Sequence, residues 1–213
     1  MPDRHVSRSA VTLVMANRNV DAAIGFRAHT GWAAVVVIAG TAEEPRVIDR
    51  LRIELTDQTD LEKIQIYHAA AEQPFAKAAW MIEAATAATN TTARASVAAL
   101  VASLDVPIGC AGLVTGNTQL PASLEKILAS HALVHAAEGE MFRAAIVAAC
   151  KSCQLPIIGF PGNALSDHAK QTLGLSAGKL RDRLVALGAG LGPPWSQDQK
   201  EAALVAWMAW AMR

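Results

Sequence analysis

The feature that most constrains the fold is an uninterrupted apolar run, Trp32–Ala39, bounded by Gly31 and Gly40. Its β-branched centre and its short length favour a buried strand over a helix. Strand-like segments lie on either side, at residues 20–26 and at residues 46–55, and the second carries charges between its apolar residues. Because only short polar turns join the three segments, they predict an antiparallel meander. The interleaved charges predict that the third strand has one solvent-exposed face.

The remainder of the chain alternates helical and strand-like segments. Residues 63–104 read as helical, with breaks predicted near Pro74 and around Asn90. Two more strands are predicted at 108–115 and 155–160, and helices at 123–153 (continuous, or interrupted near His131), 164–174, 177–187 and after 196. Strands separated by helices usually pair in parallel, so we expect an α/β fold with a mixed sheet.

A single domain is expected over residues 20–213, preceded by an N-terminal extension, 1–19, that is partly disordered, with Met15 as an alternative start. Hydrophobic residues make up 52% of the 213 and charged residues 18%, which indicates a globular protein. The formal net charge is zero. That balance argues against a large non-specific electrostatic footprint on nucleic acid, although it leaves room for a local groove.

The cysteines and the C-terminus bear on location and partners. Three cysteines do not form a disulfide framework, so reduced thiols and a cytoplasmic location are expected. Cys150 and Cys153 form a CxxC inside a helical pattern, and no second pair completes a zinc site, which favours core packing. The apolar run at 202–212 is shorter than the roughly 20 residues of a membrane span, so no membrane partner is expected.

Two carboxylates, Asp198 and Glu201, lie three residues apart at the start of the last, alanine-rich helix. Side chains at i and i+3 share a helix face, so this pair can serve a divalent cation or act as an acid/base pair. A purely structural role explains the same acidic residues. Ser196 and Gln199 form a predicted capping box, and acids near a helix N-terminus offset the helix dipole without any chemistry.

A second candidate cluster contains His131, His135 and Glu138, spaced four and three residues apart. If this segment is helical, the three side chains form a narrow stripe that could hold a metal or act as an acid/base set. If residues 131–136 are instead a strand, the stripe dissolves. In both cases Glu138 is a carboxylate that could converge with Asp198 and Glu201.

The order of elements resembles the ribonuclease H-like fold, in which three antiparallel strands precede alternating helices and strands. Three local patterns resemble its RuvC-like branch, the Holliday-junction resolvases and their relatives. They are the strand and turn Ile24–Ala33, the helix and strand Phe142–Pro161, and the acidic pair that begins the last helix. The resemblance covers about residues 20–210 and implies a metal-dependent nuclease acting on phosphodiesters, with nucleic acid and a second copy of the chain as partners.

The acidic site departs from that family in one respect. Such nucleases carry an aspartate in the first strand, whereas the matching neighbourhood here is Phe26 or Arg27. An arginine repels a cation instead of binding it. His29 follows in the turn that the resemblance places at the active site, where it and Arg27 could bind a phosphate.

The favoured function is therefore nucleic-acid cleavage with Mg²⁺ or Mn²⁺ held by Asp198, Glu201 and Glu138. In this hypothesis His29 joins the catalytic set, and Arg27, Trp195 and Lys200 bind substrate, with Trp195 stacking a base. The alternatives are a ribonuclease H-like binding or scaffold protein that no longer cuts, and a small-molecule hydrolase that uses the histidine cluster. A nuclease predicts converging carboxylates, a scaffold predicts ion pairs and caps, and a hydrolase predicts a closed pocket at His131 and His135.

Overall fold

The computed structural model describes residues 22–57 and 64–213, which form one five-stranded sheet in the order β3-β2-β1-β4-β5. The strands β1, β2 and β3 pair antiparallel, and β4 and β5 continue the sheet from β1 in parallel. This confirms the predicted α/β fold with an antiparallel edge. The strand bounds are β1 Ala22–His29, β2 Trp32–Gly40, β3 Pro45–Glu54, β4 Ile108–Thr115 and β5 Ile157–Pro161.

Seven α-helices lie in the described residues, and a 3-10 turn, Gly162–Ala164, follows β5. Helices α1 to α4 precede β5, and α5 to α7 follow it. Their bounds are α1 Ile66–Ala71, α2 Phe75–Ser103, α3 Leu124–Leu128, α4 His131–Ser152, α5 Leu165–Leu173, α6 Ala177–Leu187 and α7 Gln197–Ala211.

The helices cover both faces of the sheet, and strand alternation decides which residue faces which layer. On β1, Ile24 and Phe26 point into a core shared with α1, α2 and α4. The odd-numbered Ala23 points into a second core formed with α5, α6 and α7. The odd positions Arg27 and His29 therefore lie on the α7 face, at the end of β1.

Two glycines let α7 lie directly on the sheet. A Cβ on Gly25 of β1 would stand 1.8 Å from the backbone oxygen of Ala202, and one on Gly112 of β4 would stand 2.1 Å from that of Val205. Neither position has room for any side chain. This close approach brings the first turn of α7 beside the end of β1.

Three local predictions differ from the structure or are decided by it. Strand β1 continues to His29, so the turn is confined to Thr30 and Gly31. The predicted break around Asn90 is wrong, because α2 runs through it and the Thr91 hydroxyl donates to the Ala87 carbonyl inside the helix. The break at Pro74 is confirmed.

Residues 131–136 are helical, which decides the alternative left open at His131. Ser130 is the extended N-cap residue that separates α3 from α4. All three cysteines have free thiols, and those of Cys110 and Cys150 are buried. No helix within residues 22–57 and 64–213 has the length and apolarity needed to cross a membrane. The N-terminal extension lies outside the described residues, and the division at residue 20 stays a prediction.

Candidate functional site: an ion-paired cleft

A cleft forms where the end of β1 meets the N-terminus of α7. Strand β1 supplies Arg27 and His29, and the first turns of α7 supply Asp198 and Glu201. The capping box predicted at the start of this helix is present. The Ser196 hydroxyl accepts the Gln199 backbone N–H, and the Gln199 side chain accepts the Ser196 backbone N–H.

Ion pairs join the two elements across the cleft. The Arg27 Nε–H donates to Glu201 Oε2 at 2.8 Å, and Nε also lies 4.0 Å from Asp198 Oδ1. A second guanidinium nitrogen donates to the Ala28 carbonyl. The other Glu201 oxygen accepts the Gln197 side-chain amide at 3.1 Å. Glu201 is thus hydrogen-bonded to Arg27, and Asp198 lies within ion-pair distance of it.

His29 completes the cluster. Its Nε2 lies 2.9 Å from Asp198 Oδ1, yet it is shielded from solvent and is not aligned for a hydrogen bond. The imidazole stacks on the Trp32 ring with centroids 4.4 Å apart, which fixes its plane. His29 therefore makes an electrostatic contact with Asp198 whenever the ring is protonated.

These residues do not fit the pair of divalent metal ions that the ribonuclease H-like fold implies. A metal site of that kind needs several carboxylate oxygens aimed at a shared vacant point. Here the guanidinium of Arg27 stands against both carboxylates, and its positive charge would repel an incoming cation.

Grooves lie on both sides of the acidic pair. The strand groove, about 420 Å³, runs along the exposed sheet beside α7 and includes Asp198. The helix groove, about 510 Å³, lies between α6 and α7 and includes Glu201. Its cations are Arg181 and Lys200. The aromatic and cationic residues of the strand groove are Trp32, Arg50 and Arg52.

Aromatic and cationic side chains line the strand groove. The Arg52 guanidinium lies 4.3 Å from the Trp32 ring centroid and also pairs with Glu54. Arg50 donates to the backbone carbonyls of Leu191 and Pro194, which hold its guanidinium against the segment before α7. Trp32 was not predicted as a site residue, because it begins an apolar strand and its pattern is typical of core.

Of the residues expected to bind substrate, Lys200 lines the helix groove and Trp195 has a structural position. The Trp195 indole N–H donates to the Leu184 carbonyl at 2.8 Å. Its ring also packs so closely on Gly188 that a Cβ there would lie 2.3 Å from it. The aromatic side chain that lines the cleft is Trp32, whose ring contacts both His29 and Arg52.

Glu138 is not brought together with Asp198 and Glu201. It lies on α4, which packs on the opposite face of the sheet from α7. Its side chain is only 4% exposed, where Oε1 accepts the Tyr67 backbone N–H and Oε2 lies 2.7 Å from His68 Nδ1. Burial raises the pKa of the Glu138 carboxyl above its ordinary value, and the neighbouring His68 partly offsets that rise.

His68 connects Glu138 to the predicted histidine stripe. His131 and His135 lie on the first two turns of α4, and their Nε2 atoms are 3.0 Å apart. The Nε2 atom of His68, from α1, lies 3.4 Å from that of His135. This histidine cluster, composed of His68, His131 and His135, can supply three imidazole nitrogens to one point. His68 was missed because it is remote in sequence and joins the stripe only by packing.

Solved structures of other proteins share this architecture. The chain is similar to the solved structure of Thermus thermophilus RuvC in complex with a Holliday junction substrate (TM-score 0.50, 11% identity, 88% of this chain and 91% of that chain). It is similar to another structure of RuvC from that organism (TM-score 0.51, 10% identity, 88% and 92%). No protein-family model and no curated protein matches the sequence. The likeness establishes a RuvC-type ribonuclease H-like fold.

Proposed function

We propose that this protein is a ribonuclease H-like nucleic-acid-binding protein whose cleft holds nucleic acid without two-metal cleavage. The observation that carries the proposal is the 2.8 Å hydrogen bond between Arg27 and Glu201. It puts a fixed positive charge of the protein beside the carboxylates that a nuclease of this fold would give to a metal. A built-in cation neutralises the cleft without supplying a Lewis acid or an activated water.

Nucleic acid is the partner that the surroundings of the cleft suit best. The similar RuvC structure contains a Holliday junction, a branched DNA. In the present chain, the strand groove offers Trp32 backed by Arg52, and the helix groove offers Lys200 and Arg181. Lysine and arginine contact phosphates, and the Trp32 ring holds the Arg52 guanidinium in place for such a contact. Because the net charge is zero, we expect binding to depend on these local groups.

The rival within the same fold is a divalent-metal-dependent nuclease that uses Mg²⁺ or Mn²⁺. It needs Asp198, Glu201 and Glu138 around one point, whereas Glu138 hydrogen-bonds on the other side of the sheet. A small-molecule hydrolase would enclose His131 and His135 in a pocket, and both are exposed. Binding without cleavage agrees best with these positions. The homodimer suggested by resemblance stays a prediction.

Fluorescence anisotropy with labelled single-stranded, duplex, four-way-junction and RNA–DNA hybrid probes tests the proposal. Binding should occur in EDTA, and Trp32→Ala should weaken it roughly 2- to 5-fold, because the Arg52 guanidinium loses the ring that holds it in the groove. Lys200→Ala should weaken binding to all probes and reduce the magnitude of the salt slope by about 1.

Trp80→Ala is the matched control. Trp80 is 68% exposed on α2, on the opposite face of the sheet, so its loss should leave affinity unchanged. The proposal is overturned if none of the probes binds to folded protein. It is equally overturned if Trp80→Ala weakens binding as much as Trp32→Ala, since the cleft would then have no special part in binding.

A further inference from the structure

We infer that the histidine cluster is a Zn²⁺ site with three imidazole ligands and one position open to solvent. It is separate from the ion-paired cleft and is formed where α1 packs on α4. His131 and His135 present Nε2 from successive turns of one helix, and His68 presents Nε2 from the facing helix. All three ligand atoms lie within 4.8 Å of one another.

Two of the nitrogen separations are close to those of a zinc site. Zn–N bonds of about 2.0–2.1 Å in a tetrahedral arrangement put neighbouring nitrogens about 3.3–3.4 Å apart. The His68–His135 separation is 3.4 Å, and the His131–His135 separation is 3.0 Å. A small adjustment of one exposed imidazole would equalise the two.

The cluster is difficult to explain by hydrogen bonding alone. One imidazole nitrogen carries either a proton or a lone pair in the ring plane, so His135 Nε2 cannot form a full hydrogen bond with both neighbours. Three lone pairs directed at one cation resolve this conflict. Imidazole nitrogen is also a donor that Zn²⁺ favours, whereas Mg²⁺ prefers oxygen.

Glu138 supplies the supporting contact that metal-binding histidines usually have. Its Oε2 lies 2.7 Å from His68 Nδ1, so the Nδ1–H can donate to the carboxylate and leave the Nε2 lone pair for the metal. The second oxygen is held by the Tyr67 backbone N–H. Burying a carboxylate is costly unless positive charge is near, and a metal-bound His68 provides it.

The position of the cluster determines the kind of zinc site. His131 and His135 are exposed, and the side chain of His68 is 25% exposed. Three protein ligands facing solvent leave the fourth tetrahedral position to water or to an anion. Closed structural zinc sites, in contrast, fill all four positions with protein side chains.

Isothermal titration of tag-free, EDTA-treated full-length protein with ZnCl₂ tests the inference. We expect one Zn²⁺ per chain. His135→Ala should reduce affinity by more than about 100-fold, and Glu138→Gln by about 10- to 100-fold through the weakened hold on His68. Co²⁺ in place of Zn²⁺ should give the intense visible absorption of four-coordinate cobalt, and azide should change that spectrum by entering the open position.

His168→Ala is the matched control, since this histidine on α5 packs against Phe160 away from the cluster and should bind Zn²⁺ as the parent does. Circular dichroism verifies folding, which His135→Ala should preserve because the His135 side chain is exposed. The absence of stoichiometric Zn²⁺ binding overturns the site, as does equal loss in His168→Ala and His135→Ala. A cobalt spectrum that is insensitive to azide overturns the open position.

Discussion

At the scale of single residues, Arg27 determines the chemistry of the cleft. Its guanidinium holds Glu201 at 2.8 Å and faces Asp198 at 4.0 Å, so both carboxylates have a cation within the protein. The arrangement is a structural ion pair between a strand and a helix. An aspartate at the same position would instead give three carboxylates without the guanidinium between them.

Arg27→Asp should therefore convert the ion-paired cleft into a metal-binding one. In EDTA we expect the variant to lose about 1–3 kcal/mol of unfolding free energy, because a charged hydrogen bond is replaced by repulsion. Mn²⁺ should restore the loss, since a ligand at 100 times its Kd stabilises the folded state by about 2.7 kcal/mol. Thermal unfolding with and without Mn²⁺ measures both effects.

Arg27→Gln is the companion variant, because it removes the cation without adding a ligand. The parent protein and Arg27→Gln should show no Mn²⁺-dependent rise in Tm. If Mn²⁺ stabilised the parent as strongly as Arg27→Asp, the guanidinium would not exclude the metal, and the interpretation of the cleft would be wrong.

The thiol of Cys150 gives a prediction that concerns reactivity. Burial raises the pKa of this thiol to about 12, so almost no thiolate forms near neutral pH. In folded protein, iodoacetamide at mildly alkaline pH should label half-buried Cys153 well before Cys150, as peptide mass spectrometry would show. In urea both should react at similar rates, and rapid labelling of Cys150 in the folded state would contradict its buried position.

At the scale of elements, the position of the cleft depends on how closely α7 lies on β1 and β4. Gly25→Ala would put a methyl group 1.8 Å from the Ala202 backbone oxygen, a contact that the helix can relieve only by moving away. We expect a loss of at least about 1–3 kcal/mol in unfolding free energy, as is typical of overpacking. Urea denaturation measures it.

Gly178→Ala, in α6, serves as the comparison because a Cβ there meets nothing within 4 Å. Inside a helix this change should be neutral or stabilising by about 0.5–1 kcal/mol. Equal stability of Gly25→Ala and the parent would show that α7 does not need the glycine contact. Displacement of α7 should also weaken nucleic-acid binding in Gly25→Ala.

Most of the order of strands and helices could be predicted from the sequence, because the pattern that marks each element is local. The run from Trp32 marked a buried strand, and Ser196 with Gln199 marked the start of α7. The interruption around Asn90 was wrongly predicted because a continuous helix can satisfy threonine hydroxyls internally.

The candidate sites could be predicted only in part, because their decisive contacts are tertiary. The spacing of His131 and His135 gave their shared face once the segment was helical. Nothing local links them to His68, which is 67 residues away from His135. The sequence around Trp32 is equally compatible with a ring that packs inward and with one that lines a groove. The pairing of Arg27 with Glu201 spans 174 residues and needed the fold.

At the scale of the whole molecule, the two candidate sites lie in different layers. The ion-paired cleft belongs to the α7 side of the sheet, and the histidine cluster belongs to the side of α1 and α4. Variants of one site should leave the other unaffected, because distant sites without shared partners behave additively. His135→Ala should thus bind nucleic acid normally, and Trp32→Ala should bind Zn²⁺ normally.

The most direct test of the account is a cleavage assay on labelled single-stranded, duplex, four-way-junction and RNA–DNA hybrid substrates in Mg²⁺ or Mn²⁺. Parent protein and Asp198→Asn are run side by side, at concentrations where anisotropy shows the parent bound. We expect bound and intact substrate throughout, since the Arg27 guanidinium already pairs with Glu201. Cleavage by the parent that disappears in Asp198→Asn would contradict it and establish a metal-dependent nuclease.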